Sequence, residues 1–364
     1  MAIESDPSCF PILSCGGAVF PVMPAGCDLR KALVRDNRLL GRMRRLAFGM
    51  LLAWCRYTTA GSPPLDISQY KHTAWTIRDG TLSGSTNSIA QTTDGYLWLG
   101  GEFGLRRFDG IQFVQPPGLP SVPGARVLRL LASPNGSLWI GTEQGLARWK
   151  GGSLTTYPET ANQRIARILE DREGTVWVST QGTPSGRICA IRPSGVRCLG
   201  QDGSLGPVAM ALHEHAGDIW ATASTGLWRM NSGPPRRYAL PAEEPMDLGE
   251  ENGKLLIATE EGVIQLAGDK FEPYTTPLPA KPVHAVRLLN DRNGALWIGT
   301  NDRGLLRVHD GKTSQFGRVD GLSGDHVLDR FEDREGNVLG IHCRGHRPPS
   351  PYDSGDRYYR ARFI

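Results

Sequence analysis

From about residue 70 onward the chain is laid out in short runs of aliphatic, β-branched and aromatic residues, four to eight long, each closed by Gly, Asn, Asp or Pro. The run ARVLRLLA is followed by SLWIGT, GLARWK and SLTTYP, and no segment of this part keeps the 3.6-residue period of an amphipathic helix. Runs of this length with turn chemistry between them predict β-strands joined by hairpins. The pattern then repeats. Aligned on one position, the segments read TTDGYLWLGG, SPNGSLWIGT, DREGTVWVST, EHAGDIWATA, EENGKLLIAT and DRNGALWIGT, with a broken copy DREGNVLGIH. The anchors are Trp98, Trp139, Trp177, Trp220, Leu256, Trp297 and Leu339, spaced by 41, 38, 43, 36, 41 and 42 residues.

A period near 40 built from four strands predicts a propeller blade. The expected fold is therefore all-β: a seven-bladed β-propeller of four-stranded antiparallel blades, with an incomplete last blade. Glycine stands three residues before every anchor, where a turn requires positive φ. Two residues past the first six anchors the side chain is small (Gly100, Gly141, Ser179, Thr222, Ala258, Gly299), which suits a closely packed neighbour. The recurring tryptophans are expected to pack between blades. Arg107, Arg148, Arg229 and Arg307 recur too, three residues after the glycine that opens the third strand, and read as solvated charges on blade surfaces. The segment HTAWTIR at residues 72–78 precedes the first blade and is expected to close the ring by completing the last one.

Both ends depart from the repeat. Residues 1–42 have no periodic pattern and read as an over-extended start or a disordered leader. Residues 43–60 carry Arg44 and Arg45, followed by an apolar stretch from Leu46 to Trp54 and then mostly small polar residues, the layout of a secretory signal peptide. The propeller is expected over 61–338. From Leu339 the repeat is lost. Back-translated with permitted codons and shifted by one base, the tail reads W-V-S-T-A-G-G-I-D-R-L, a regular continuation, so 339–364 reads as an out-of-frame tail and the last blade as lacking its own second and third strands.

The net charge of +4 is small and its basic residues are interspersed, which argues against nucleic-acid binding. No apolar run of membrane-spanning length follows the repeats, so no membrane span is expected there. Among eight histidines the one close pair is His213 and His215, flanking Glu214 before a turn, read here as a solvated loop. No catalytic motif appears, and no metal or other cofactor is expected. Cys189 and Cys198 face each other across a hairpin centred on Pro193-Ser194 and are candidates for a disulfide. Thirteen residues before the anchors, at the entrance to the innermost strands, lie Ser85, Arg126, Arg164, Pro207, Glu243, His284 and His326. Arg126, Arg164, His284 and His326 could there bind an anionic or hydroxyl-rich ligand such as a sugar acid.

The blade pattern, with AWTIRDGTLSGSTNSIAQTTDGYLWLGGEFGLRRFDGIQF at its first copy, resembles the two-component regulator propeller family. Leu256 in place of tryptophan and GTPSGRICAI in the third copy are the departures. The resemblance implies a non-catalytic, periplasmic or otherwise exported sensor that binds a small molecule or glycan. It also implies a homodimer, as in sensor kinases, and transmembrane and output domains that this chain does not show. The alternatives are a protein-interaction propeller and, behind it, a lyase- or lactonase-type enzyme.

Overall fold

In the computed structural model, two compact units are separated, 1–64 and 65–364. Residues 12–15, 18–21, 73–76, 86–343 and 359–363 are described, with breaks at 109–111, 117–121, 123–125, 232, 242–244, 275–282, 321, 323 and 337. Residues 43–60, expected to form a signal peptide, lie outside the described residues. In the first unit Ile12–Cys15 pairs antiparallel with Ala18–Pro21.

The second unit is a propeller of four-stranded antiparallel blades. Six blades each use four consecutive strands. The second is Val127–Ala132, Leu138–Thr142, Leu146–Lys150 and Ser153–Thr156, in that order from the inside outward. The innermost strands of the six are Thr86–Gln91, Val127–Ala132, Arg164–Glu170, Ala209–His215, Asp247–Glu251 and Ala285–Asn290, and each packs against the next.

The seventh repeat corrects the expectation of a last blade closed by the amino-terminal strand but lacking its second and third strands. It contributes His326–Glu332 and Val338–Cys343 to a composite sheet, whose other strands are Tyr359–Phe363 and the amino-terminal Thr73–Thr76. Strand Thr73–Thr76 pairs there as expected of a closing strand, with Trp75 opposite Ala361. The tail after Leu339 nevertheless supplies two strands, because Leu339 and Ile341 alternate correctly and are fully buried against Ile89, Leu99 and Phe113 of the first blade. His326–Glu332 packs on Thr86–Gln91, and Arg334 donates to the Thr92 and Thr93 carbonyls at 2.7 and 2.9 Å, so the ring is closed.

The anchor residues are core residues, all six per cent exposed or less. Four tryptophans are also tethered through the indole N–H, to Thr92 at 2.9 Å, Ser133 at 2.8 Å, Asp171 at 2.7 Å and Asp291 at 2.8 Å. Each acceptor stands six residues before its tryptophan and opens the turn that the repeat glycine completes. The fourth and fifth blades lack this device. They turn on Ala216-Gly217 and Asn252-Gly253, with φ of 52° and 83°, then 50° and 72°, between the paired residues His215–Asp218 and Glu251–Lys254. Two positive φ values make a type I′ hairpin, one residue shorter between facing positions. The Trp220 indole N–H is consequently buried without a partner.

The recurring arginines are not solvated surface charges. Arg107, Arg148, Arg229 and Arg307 sit directly opposite Trp98, Trp139, Trp220 and Trp297 in the antiparallel register. Arg148 and Arg307 lie over their tryptophan rings at 5.6 and 5.8 Å, and Arg307 is buried. Such a cation over an aromatic face contributes about 0.5–2 kcal/mol. In the fifth blade both partners change together, to Leu256 opposite Gln265. The small residues past the anchors have a steric cause: a Cβ on Gly100, Gly141 or Gly299 would stand 2.4, 2.5 or 2.8 Å from Val127, Ile165 or Val327 of the following sheet.

Candidate functional site in the propeller channel

The innermost strands present two levels of polar side chains. At their entrance, Arg164 and His326 are the first residues of their strands, and Arg126 and His284 immediately precede theirs. Arg126 Nη1 lies 3.5 Å from Glu143 Oε1 on the neighbouring hairpin. Burial lowers the Arg164 pKa, Glu143 opposes that shift and Arg126 adds to it, so these three groups share one neighbourhood spanning two adjacent blades. His284 Nδ1 is 3.9 Å from Asp302 Oδ2, with both side chains about half exposed. His326 is brought to the same end of its strand but is buried, at 4% exposure. Ser85 and Glu243 lie outside the described residues.

The second level was not anticipated. One position of each innermost strand, two before the residue that faces the anchor, holds Ser88, Arg129, Arg167, Ala211, Asp247, Arg287 and Asp329. In five of the seven strands the register shifts just before this residue, through a bulge that re-aims the side chain. Asp247 is the hub. Its Oδ1 pairs with Arg167, and its Oδ2 pairs with Arg330 at 2.6 Å and accepts the Leu288 N–H at 3.1 Å. Arg330 also donates to the Leu288 carbonyl, and its Nη1 lies 3.9 Å from Asp329. Arg129 donates to the Ala166 and Leu128 carbonyls at 2.7 and 2.6 Å, and Arg287 to the Val286 carbonyl at 2.6 Å.

Burial works against charge here, and the arginines work against one another. Burial, then Arg287 beside it, brings the Arg129 pKa down to about 9, and burial brings Arg330 down to about 10. The Asp247 carboxyl is held well below the usual carboxylate range: burial alone would raise it, but Arg167, Arg330 and Arg287 together outweigh that.

His213 and His215 do not form a solvated loop. They end the strand Ala209–His215, on one face, with Glu250 of the next blade 2.8 Å from His215 Nδ1 and 3.9 Å from His213 Nε2. Burial pushes His213 down to about 4 despite the opposing charges of Glu250 and Asp247. Among the described residues no group of three His, Cys, Asp or Glu is placed to hold a metal ion, and no helix is long and apolar enough to cross a membrane. Cys189 and Cys198 face each other in the register Ile191–Val196, Ala190–Arg197, Cys189–Cys198 and are joined by a disulfide, with Cα atoms 4.0 Å apart.

The two-component regulator propeller family matches residues 160–182 and 277–302, which take in the two inner strands of the third and sixth blades. The fold is similar to the extracellular domain of a protein assigned as a hybrid two component system from B. thetaiotaomicron, with a TM-score of 0.62 and 19% identity over 81% of this chain. This chain spans 42% of that structure's length. It is also similar to a catalytically inactive virginiamycin B lyase from Staphylococcus aureus with quinupristin, with a TM-score of 0.57, 14% identity, 81% of this chain and 99% of that one. No curated protein matches the chain. At these identities the solved structures speak for the fold, and the matched segments speak for the repeat. The chain is a propeller that carries two-component regulator propeller repeats.

Proposed function

We propose that this propeller is the exported, non-catalytic sensing part of a signalling protein and that it receives a small anionic, hydroxyl-rich ligand at the entrance of its channel. One observation carries the reading: Arg126 and Arg164, from adjacent blades, meet around Glu143 at the same end of the innermost strands. Two guanidiniums on a rigid rim offer paired donors to a carboxylate, and the half-exposed His284 adds a further polar contact. The matched repeat and the likeness in fold to the extracellular domain of a hybrid two component system support the signalling role, and the Cys189–Cys198 bond agrees with an oxidising compartment.

The test is an overlay of purified protein on glycans and sugar acids, run beside a pull-down of exported proteins. Retention on acidic sugars that weakens in Arg126→Ala supports the reading. Capture of proteins alone would replace it with an interaction scaffold.

A further inference from the structure

Three asparagines in this chain are followed by glycine: Asn135-Gly136, Asn252-Gly253 and Asn293-Gly294. All three lie exposed in the turn between the two inner strands of a blade. Such pairs are chemically labile, because glycine has no side chain to shield its amide nitrogen from the asparagine side-chain carbonyl. The fold treats the three differently. The Gly136 N–H donates to the Ser133 carbonyl and the Gly294 N–H to the Asp291 carbonyl, both at 3.0 Å. The Asn135 side chain is held as well, its Oδ1 accepting the Ser137 N–H at 3.0 Å. Asn252 and Gly253 instead form the two-residue type I′ hairpin between Glu251 and Lys254, with φ of 50° and 72°. Among the described residues nothing accepts the Gly253 N–H, and the Asn252 side chain has no partner. A Cβ on Gly253 would meet nothing within 4 Å, so its nitrogen is not crowded by a neighbour. A non-glycine residue at positive φ also leaves that region without losing intrinsic backbone preference. The fourth blade makes the same turn with Ala216-Gly217, so the turn does not need the amide.

We infer that Asn252 is a site of spontaneous covalent modification, the first of the three asparagines to convert to aspartate and isoaspartate. The Gly253 nitrogen bonds to Asn252 Cγ and the Cγ–Nδ2 bond breaks. The side-chain nitrogen leaves as ammonia, taking the proton of the Gly253 amide. Water then opens the succinimide: its hydroxyl bonds to one carbonyl carbon, that carbon's bond to the Gly253 nitrogen breaks, and the nitrogen regains a proton. Opening at Cγ gives aspartate, and opening at the main-chain carbonyl gives isoaspartate. Aspartate adds a negative charge next to Glu250 and Glu251 in the chain. Isoaspartate routes the main chain through the side chain and adds an extra atom to a turn that has no slack, because it fixes the register Glu251–Lys254. The strand that enters this turn carries Asp247, which joins Arg167 and Arg330 of other blades. A reaction at an exposed turn thereby reaches the ion pairs of the channel. The inference does not depend on any ligand at the entrance.

The experiment incubates the purified chain at mildly alkaline pH, folded and in urea, and follows the peptides carrying Asn135, Asn252 and Asn293 by mass spectrometry. Aspartate and isoaspartate are separated by chromatography. A hydrogen bond that must open before attack slows the reaction by its equilibrium cost. In the folded chain Asn252 should therefore convert about two- to tenfold faster than the other two. In urea, where no turn is held, the three rates should converge. The isoaspartate form should melt below Asn252→Asp, which carries the new charge without the extra main-chain atom. Asn252→Ala, the residue that the fourth blade uses in this turn, should keep its melting midpoint longer than the wild type through the same incubation. The inference is overturned if Asn252 stays intact while either other asparagine converts, if the three rates are equal in the folded chain, or if the same ranking persists in urea.

Discussion

Two tryptophans at equivalent places in this propeller differ in a single hydrogen bond, and that difference can be measured. Trp297 is 1% exposed, and its indole N–H donates to Asp291 Oδ2 at 2.8 Å, while Asp291 Oδ1 accepts the Asn293 and Ala295 N–H groups at 2.9 and 2.8 Å. Trp220 is 5% exposed and its N–H has no partner, because the type I′ hairpin at Ala216-Gly217 shortens the turn that carries the acceptor elsewhere. Phenylalanine at either site removes the same atoms from the core, so the packing loss is shared. At 297 the change also removes a bond to a charged acceptor, about 1.5–3 kcal/mol net. At 220 it removes an orphaned donor, which gives back about 1–3 kcal/mol. Trp297→Phe should therefore be more destabilising than Trp220→Phe by about 2.5–6 kcal/mol, the sum of the two. The assay is urea unfolding followed by far-ultraviolet circular dichroism, with midpoint and slope compared between variants. Equal destabilisation, or a larger loss at 220, would refute the tethering argument.

Other outcomes follow from the same structure. Gly141→Ala places a Cβ 2.5 Å from Ile165 of the next blade and should lower stability by about 1–3 kcal/mol, read by the same unfolding assay. His213 is held at about 4 against an ordinary 6.5, so the unfolded chain binds more protons between these values. Its contribution is present above pH 6.5 and is lost as the pH falls toward 4, by up to ~3 kcal/mol, and His213→Gln should flatten that part of the stability profile. Reducing Cys189–Cys198, which closes a loop of sequence separation 9, should lower stability by at most about 2–3 kcal/mol, and free-thiol labelling without reductant should leave both residues unmodified.

The blades were legible because the same signal is written repeatedly: a turn glycine, an aliphatic residue, the anchor, and a small residue where the next sheet comes close. Strand Thr73–Thr76 was legible as a closing strand because it has no blade of its own before it. The composite sheet was not, since beyond Leu339 the repeat is gone and only local alternation, Leu339 and Ile341 facing inward, recruits those residues. The recurrent arginines were misread because a charge on a strand suggests solvent, whereas the register places each one against an indole. The second polar level left a signal, an arginine set between apolar neighbours within a strand (VLRLLA, RIARILE, AVRLLN). Counting back from the anchors hides it, because the short hairpins of the fourth and fifth blades move Ala211 and Asp247 one residue out of step.

The most direct test of the account is a calorimetric titration of the purified chain with glucuronate and with its neutral parent, glucose. The account predicts saturable binding of the acid, none of the neutral sugar over the same range, and a loss of about tenfold or more when Arg126 and Arg164 are both changed to alanine, equivalent to about 1.4 kcal/mol. Equal behaviour of the two sugars, or undiminished glucuronate binding by the double variant, would contradict it.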